Sequence, residues 1–271
     1  MLDVERYGPW AVVAGGSEGV GAAFADQLAA AGLSLVLVAR TAGPLEETAA
    51  AVRAAHGVEV RTLSLDLLAE DAVARLAEHT DGLDVGLLVL NAGANSYGSP
   101  FVDGDLDRLR QVARLNVDVP LALLHHVGGR LAARGRGGLL VVGSLAGYVG
   151  HERIAVYAAA KAFSRVLCEG LWLELAPRGV DVLHLVLGVT RTPAMERAGF
   201  PVDDPRLRAA DPDDVAREGL AHLADGPVHV ISGNEQIAVA HSAFPRSEVV
   251  ATAARRMRAV RPEDEGFPPR R

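Results

Sequence analysis

The one lysine of the chain, Lys161, stands four residues after Tyr157 in the run Tyr157-Ala158-Ala159-Ala160-Lys161. On a helix of about 3.6 residues per turn, positions i and i+4 share a face, so the phenol and the ammonium can meet at one bound ligand. A tyrosine with its ordinary pKa near ~10 is a poor acid–base catalyst at neutral pH, and a nearby cation favours its ionised form. Almost every other basic residue is arginine, whose planar fork cannot replace a compact ammonium, so the surviving lysine is the group to watch. Ser144 precedes Tyr157 by 13 residues and follows an apolar run at 139–143. A hydroxyl at the carboxyl end of a strand faces the ligand crevice and can hydrogen-bond a substrate carbonyl, although a lone loop serine is equally ordinary. Asparagine occurs only at 91, 95, 116 and 234. Asn116 falls mid-helix between Leu115 and Val117, where a polar amide needs a partner, either as a helix-kinking core group or as part of a proton path.

A second constellation opens the chain. The apolar run at 10–14 leads into Ala14-Gly15-Gly16-Ser17-Glu18-Gly19-Val20-Gly21 and then into a helix. Glycines spaced this way allow a tight turn and close backbone approach, so that a pyrophosphate can sit against the free N–H groups of the helix start. The next strand ends at Ala39, where an acidic residue would hold the ribose hydroxyls of NAD, and is followed by Arg40. A guanidinium there suits a 2′-phosphate and points to NADP(H), with NAD(H) left possible. Glu18, inside the turn, works against that preference, since a carboxylate near phosphate is unwelcome. A solvated surface arginine is the plain alternative.

These residues need a scaffold, and the rest of the sequence supplies one. Val- and Leu-rich runs at 10–14, 34–39, 58–63, 85–90, 139–143, 181–186 and 228–231 alternate with helical stretches at 20–31, 45–56, 71–79, 106–134, 153–177, 215–224 and 246–259. Continuous apolar strands between helices indicate a parallel sheet covered on both faces. The expected class is α/β, a single-domain doubly wound parallel sheet of Rossmann type with about seven strands. That domain spans 1–260, 201–214 reads as a surface loop, and the charged, Pro-rich 261–271 reads as a loose tail. In the C-terminal helix, the apolar positions 249, 250, 253 and 257 form a stripe expected to pack on the core.

Composition narrows the partners. The chain has 271 residues, 49% of them hydrophobic and 23% charged, which excludes disorder. A net charge of −7 argues against nucleic acid as a partner, because phosphate neutralisation calls for a basic face. Cys168 stands alone and cannot form an internal disulfide, the amino terminus lacks the pattern of a signal peptide, and the expected location is cytoplasmic. No apolar run approaches the roughly 18 residues of a membrane span. His125 and His126 are adjacent and have no third ligand at metal spacing, so no metal site is expected. The rim of the crevice is placed at 94–101, 146–151 and 191–208, where Tyr97, Tyr148 and His151 are either substrate contacts or surface residues.

In order and spacing, the glycine turn at 15, 19 and 21, Asn91-Ala92-Gly93, Asn116, Ser144 and Tyr157 with Lys161 resemble the short-chain dehydrogenase/reductase family over about residues 10–233. The resemblance implies an oxidoreductase that transfers hydride between a nicotinamide cofactor and a small-molecule carbonyl or secondary alcohol. It makes Tyr157 the general acid/base, Ser144 the group that orients the reacting oxygen, Lys161 the holder of the nicotinamide ribose, and Asn116 a positioner of water. It further assigns Gly15, Ser17, Glu18, Gly19, Val20 and Gly21 to the pyrophosphate turn, Arg40 to the ribose end, Asp66 and Leu67 to the adenine, Asn91, Ala92 and Gly93 to the cofactor floor, and Gly188, Val189 and Thr192 to the nicotinamide amide. Ala14, Leu90 and Leu187 depart from the family's usual Thr, Asn and Pro. Family analogy also implies a homodimer or homotetramer through helices 106–134 and 153–177; Phe163, Leu167, Leu171 and Leu175 at helical spacing fit such an interface and a buried monomer core equally well. The rivals are an NAD-dependent alcohol dehydrogenase with the same site and a dinucleotide-binding sensor without turnover.

Overall fold

The computed structural model describes residues 2–93 and 97–260. Its elements are, in order, α1 (Val4–Tyr7), β1 (Trp10–Ala14), α2 (Gly19–Ala30), β2 (Ser34–Ala39), α3 (Ala42–His56), β3 (Val60–Ser64), α4 (Ala72–His79) and β4 (Val85–Leu90). Then come α5 (Leu106–Ala113), a π-helical turn (Arg114–Asp118), α6 (Val119–Arg134), β5 (Gly137–Ser144), a 3₁₀ turn (Leu145–Tyr148) and α7 (Ala155–Leu175). A second 3₁₀ turn (Ala176–Arg178), β6 (Val180–Leu187), α8 (Pro193–Arg197), α9 (Pro212–Ala221), β7 (Val228–Val230), α10 (Glu235–Ser242) and α11 (Arg246–Val260) complete the described chain. The expected tail at 261–271 lies outside the described residues, as do Asn95 and the first part of the 94–101 rim.

All seven strands run parallel in the order β3-β2-β1-β4-β5-β6-β7. The order reverses between β1 and β4, and the carboxyl ends of strands on either side of that point form the crevice in which such sheets bind ligands. Alternation on each strand separates two cores. On β2, Leu35 and Leu37 join Phe24, Leu28 and Leu45 on one face. Val36 and Val38 join Leu76, Leu123 and Leu131 on the other. Both faces are thus buried, which is why the central strands read as unbroken apolar runs.

The helix expected at 106–134 is interrupted, and two residues explain why. Pro120 has no N–H to give the carbonyl of residue 116, and the Asn116 side chain takes up the Val112 carbonyl at 2.9 Å, so the regular ladder yields to a π turn between α5 and α6. α9 begins at Pro212 rather than 215, because Asp211 caps it, accepting from the Asp213 N–H at 2.8 Å, with Pro212 in the first turn. The loop expected at 201–214 is shorter for the same reason. α8 and α10 are additional to the helices expected from the sequence. On α7, Leu175 is buried and Leu167 and Leu171 pack on the core, so these three do not form an outer face. The exposed apolar residues are Phe163, Val166 and Leu173. The stripe expected on α11 is likewise only partly buried: Ala253 is in the core, whereas Val250 and Met257 remain exposed.

Candidate active site

Tyr157 and Lys161 lie on one face of α7, with the lysine ammonium 5.6 Å from the centre of the phenol ring. Ser144 ends β5 and caps the following turn, its Oγ accepting from the Ala146 N–H at 3.1 Å. That leaves the Ser144 proton to favour the ionised form of the Tyr157 phenol. Lys161 is buried and donates to the Val142 carbonyl at 3.0 Å, two residues before Ser144. Asn116, also buried, reaches the same place: a Cβ on Gly93 would stand 2.9 Å from Asn116 Oδ1 and 3.2 Å from Lys161 Nζ. Only glycine fits at 93, where φ is +142° and the backbone passes this close to both groups.

Burial decides the electrostatics. It pushes the Tyr157 pKa above its ordinary value, with the Ser144 hydrogen bond pulling in the opposite direction. The same burial lowers the Lys161 pKa to about 8. From spacing alone the lysine should bring the phenol down; in the folded chain the phenol goes up and the lysine comes down, because loss of water acts on both groups. Behind this pair, His184 on β6 meets Ser164 Oγ at 3.0 Å, and Ser164 in turn donates to the Lys161 carbonyl at 3.0 Å. Burial, then the charges of Lys161 and Arg165, lower the His184 pKa to about 3, so it is neutral and braces α7 against the sheet.

The glycine turn is a cradle that a single methyl group would fill. A Cβ on Gly21 would come within 1.8 Å of the Gly15 carbonyl oxygen. That oxygen accepts from Asn91 Nδ2 at 2.9 Å, so Asn91 fixes the turn while Asn91 and Ala92 pair through their N–H groups with the Ala14 carbonyl. Thr48 on α3 donates to the Ser17 carbonyl at 2.9 Å, and Val20 is buried beneath the turn. No side chain caps the start of α2. Open N–H groups at a helix start beside a crevice that admits no side chain fit a dinucleotide's pyrophosphate. Arg40 is exposed at the end of β2, and its guanidinium has no ion-pair partner among the described residues. Asp66 lies beyond β3, one carboxylate oxygen accepting from the Leu68 N–H at 3.0 Å, with Leu67 buried beside it.

At the far end of the crevice, Gly188 packs against Asn234, Val189 accepts from the Ala210 N–H at 2.9 Å, and Thr192 caps α8. In the sequence nothing but the rarity of asparagine marks Asn234. Of the rim candidates, Tyr97 is engaged locally, its phenol accepting from the Asp105 N–H at 2.9 Å and Arg108 lying 4.2 Å from its ring centre. Tyr148 packs with Arg165, and His151 stands edge-on to His241 at 6.4 Å. His125 and His126 join no cluster of metal-binding groups among the described residues. None of the described helices is long and apolar enough to cross a membrane. Glu18, the carboxylate inside the glycine turn, is paired: both its oxygens are held by Arg197 of α8.

A doubly wound parallel sheet with a glycine cradle at its switch point and a Ser–Tyr–Lys group across the crevice defines a class of nucleotide-dependent proteins. Residues 9–199 match the short chain dehydrogenase family model, and the chain belongs to that family. It is 34% identical over 249 residues to a 7beta-hydroxysteroid dehydrogenase of Clostridium sardiniense, covering 91% of this chain and 95% of the relative. A very-long-chain 3-oxoacyl-CoA reductase of Neurospora crassa is 38% identical over 196 residues, covering 71% of this chain and 59% of the relative. A solved short-chain dehydrogenase from Sphingobium yanoikuyae in complex with NADPH superimposes with a TM-score of 0.77 at 27% identity, covering 95% of this chain and 98% of that one. The chain is therefore an oxidoreductase acting on CH–OH or C=O groups.

Proposed function

We propose that the protein is an NADP(H)-dependent oxidoreductase that uses Tyr157 as general acid/base on a carbonyl or secondary alcohol. The observation that carries this reading is the grouping of Asn116 and Lys161 against Gly93, just beyond β4, with Tyr157 beside Lys161 and Ser144 at the carboxyl end of β5. When bound, the nicotinamide supplies or accepts the hydride. In reduction, Tyr157 gives its proton to the carbonyl oxygen, and a raised phenol pKa keeps that proton in place at neutral pH. Ser144 holds the same oxygen. Lys161 presents a cation to the phenol and the ribose, and Asn116 positions water for proton resupply.

The names of two relatives, a hydroxysteroid dehydrogenase and a very-long-chain 3-oxoacyl-CoA reductase, support a substrate whose oxygen function sits on a large apolar skeleton. The hydroxysteroid relative aligns over almost its whole length, whereas this chain spans 59% of the oxoacyl-CoA reductase, so a hydroxysteroid-like ketone or alcohol is the favoured substrate. A panel of cyclic ketones, oxosteroids, 3-oxoacyl thioesters and aldehydes, run with NADPH and NADH, tests this. Turnover on oxosteroids supports it; binding of NADPH without turnover on any member would make the chain a sensor.

Arg40 carries the cofactor preference. A charge-assisted bidentate contact to a 2′-phosphate contributes roughly 1.5 to 3 kcal/mol, and no carboxylate at Ala39 competes for the ribose hydroxyls. NADPH is expected to bind at least about tenfold more tightly than NADH at low salt, with Arg40→Ala removing most of the difference. Equal dissociation constants in the unaltered protein would overturn the assignment.

Assembly into a homodimer or homotetramer is supported by the exposed apolar residues Leu121 on α6 and Phe163, Val166 and Leu173 on α7. Light scattering should therefore show a species of at least twice 28.4 kDa; a monomer at micromolar concentration would exclude it.

A further inference from the structure

Glu18 occupies the N-cap position of α2 in extended conformation, with φ −163° and ψ 166°. A carboxylate at that position ordinarily folds back onto the first free N–H groups of its own helix, where the helix dipole also favours it. Here it does not, and no other side chain does so in its place. Both Glu18 oxygens are instead turned outward to the Arg197 guanidinium: Nη1 donates to Oε2 at 3.0 Å and Nη2 donates to Oε1. Arg197 is the last residue of α8, a short helix seated on the glycine turn by independent contacts. Thr192 caps α8 through the Met195 N–H, and its side chain lies against Gly19, where a Cβ would meet the Thr192 methyl at 2.9 Å.

We propose that Arg197 is a positioning residue for the dinucleotide: by drawing the Glu18 carboxylate outward, it keeps the start of α2 open to the cofactor's pyrophosphate. The proposal rests on the dinucleotide reading above. Released from Arg197, Glu18 is an anion tethered one residue from the N–H groups that the pyrophosphate needs. It would occupy those donors and repel the incoming phosphates. Held by Arg197, the same carboxylate belongs to a neutral pair, which removes the conflict that a negative residue in this turn otherwise creates. A role in fold stability makes a different forecast. The pair is open to solvent, with Arg197 62% and Glu18 36% exposed, and such pairs add little to stability.

Equilibrium titration of NADPH and NADH at low salt, followed by nucleotide fluorescence, separates the possibilities. Arg197→Ala is expected to weaken both cofactors by about five- to tenfold, within the range of charge effects at a helix start, and to leave the thermal midpoint of the cofactor-free protein unchanged. Adding Glu18→Ala to Arg197→Ala should return both dissociation constants to about twofold of the starting values, since the competing anion is then gone. Unchanged binding in Arg197→Ala overturns the proposal. So does a loss that persists in the double variant, because Arg197 would then be touching the cofactor itself. Failure of the unaltered protein to bind either dinucleotide overturns the cofactor reading, and this inference with it.

Discussion

Replacing Tyr157 with phenylalanine should lower kcat for carbonyl reduction by about 10³-fold or more while NADPH binding stays close to that of the unaltered protein, because a positioned proton donor contributes roughly 10²- to 10⁴-fold and the ring itself is retained. The ring keeps its place on α7 beside the Lys161 ammonium, and only the transferable proton is removed. Burial raises the Tyr157 pKa, which gives the two directions of reaction opposite pH behaviour. Reduction needs the phenol and should hold its rate through neutral pH. Oxidation of the alcohol needs the phenolate and should accelerate as the pH is raised. Stopped-flow measurement of the chemical step with NADPH and a ketone found active in the substrate panel checks the substitution. A Tyr157→Phe protein with near-normal kcat would remove Tyr157 from proton transfer and leave Ser144 and ordered water as the donors.

What the sequence made legible depended on how local the cause was. β1, β2 and β4 match their expected bounds because both faces of each strand are buried, and an uninterrupted apolar run has no other comfortable fate. Tyr157 and Lys161 were brought together by helix geometry alone, which a spacing of four residues specifies. The π turn at Asn116 depends on one side chain bonding back to Val112 and one proline further on, a competition that apolar periodicity does not register. α8 has five residues, too few to show a period, and its cap is a Thr-Pro pair that also reads as a turn.

The contacts that were not legible join distant parts of the chain. Glu18 and Arg197 are 179 residues apart, and in a chain whose basic residues are almost all arginine nothing marks Arg197 as different from its neighbours. Asn234 against Gly188 and His184 behind Ser164 are of the same kind. The direction of the Tyr157 shift is hidden from the sequence for another reason. Proximity to a lysine can be read from spacing, whereas desolvation depends on everything else that closes over the site, and here desolvation is the larger cause, ahead of the opposing effect of Ser144.

That balance leads to an expected result for Lys161→Met. Turnover should be lost, since neither a cation for the phenol nor a donor for the ribose remains, yet the cofactor-free protein should be more stable at neutral pH than the unaltered one. Burial lowers the Lys161 pKa from 10.5 to about 8, so between those values the folded chain holds fewer protons than the unfolded chain. Stability then rises with pH across that window, and the full penalty of keeping the buried ammonium is present below pH 8. A shift of this size corresponds to about 3 kcal/mol at most, from which the lost hydrogen bond to the Val142 carbonyl subtracts about 1 kcal/mol. Methionine fills similar volume without a charge, so its advantage should be greatest near pH 7 and shrink steadily towards pH 10.5. Urea unfolding of both proteins across this range reads the effect directly. A constant difference at every pH would mean that Lys161 keeps its proton in the folded state with no electrostatic penalty, and the site would then hold its cation through hydration or a partner rather than against its burial.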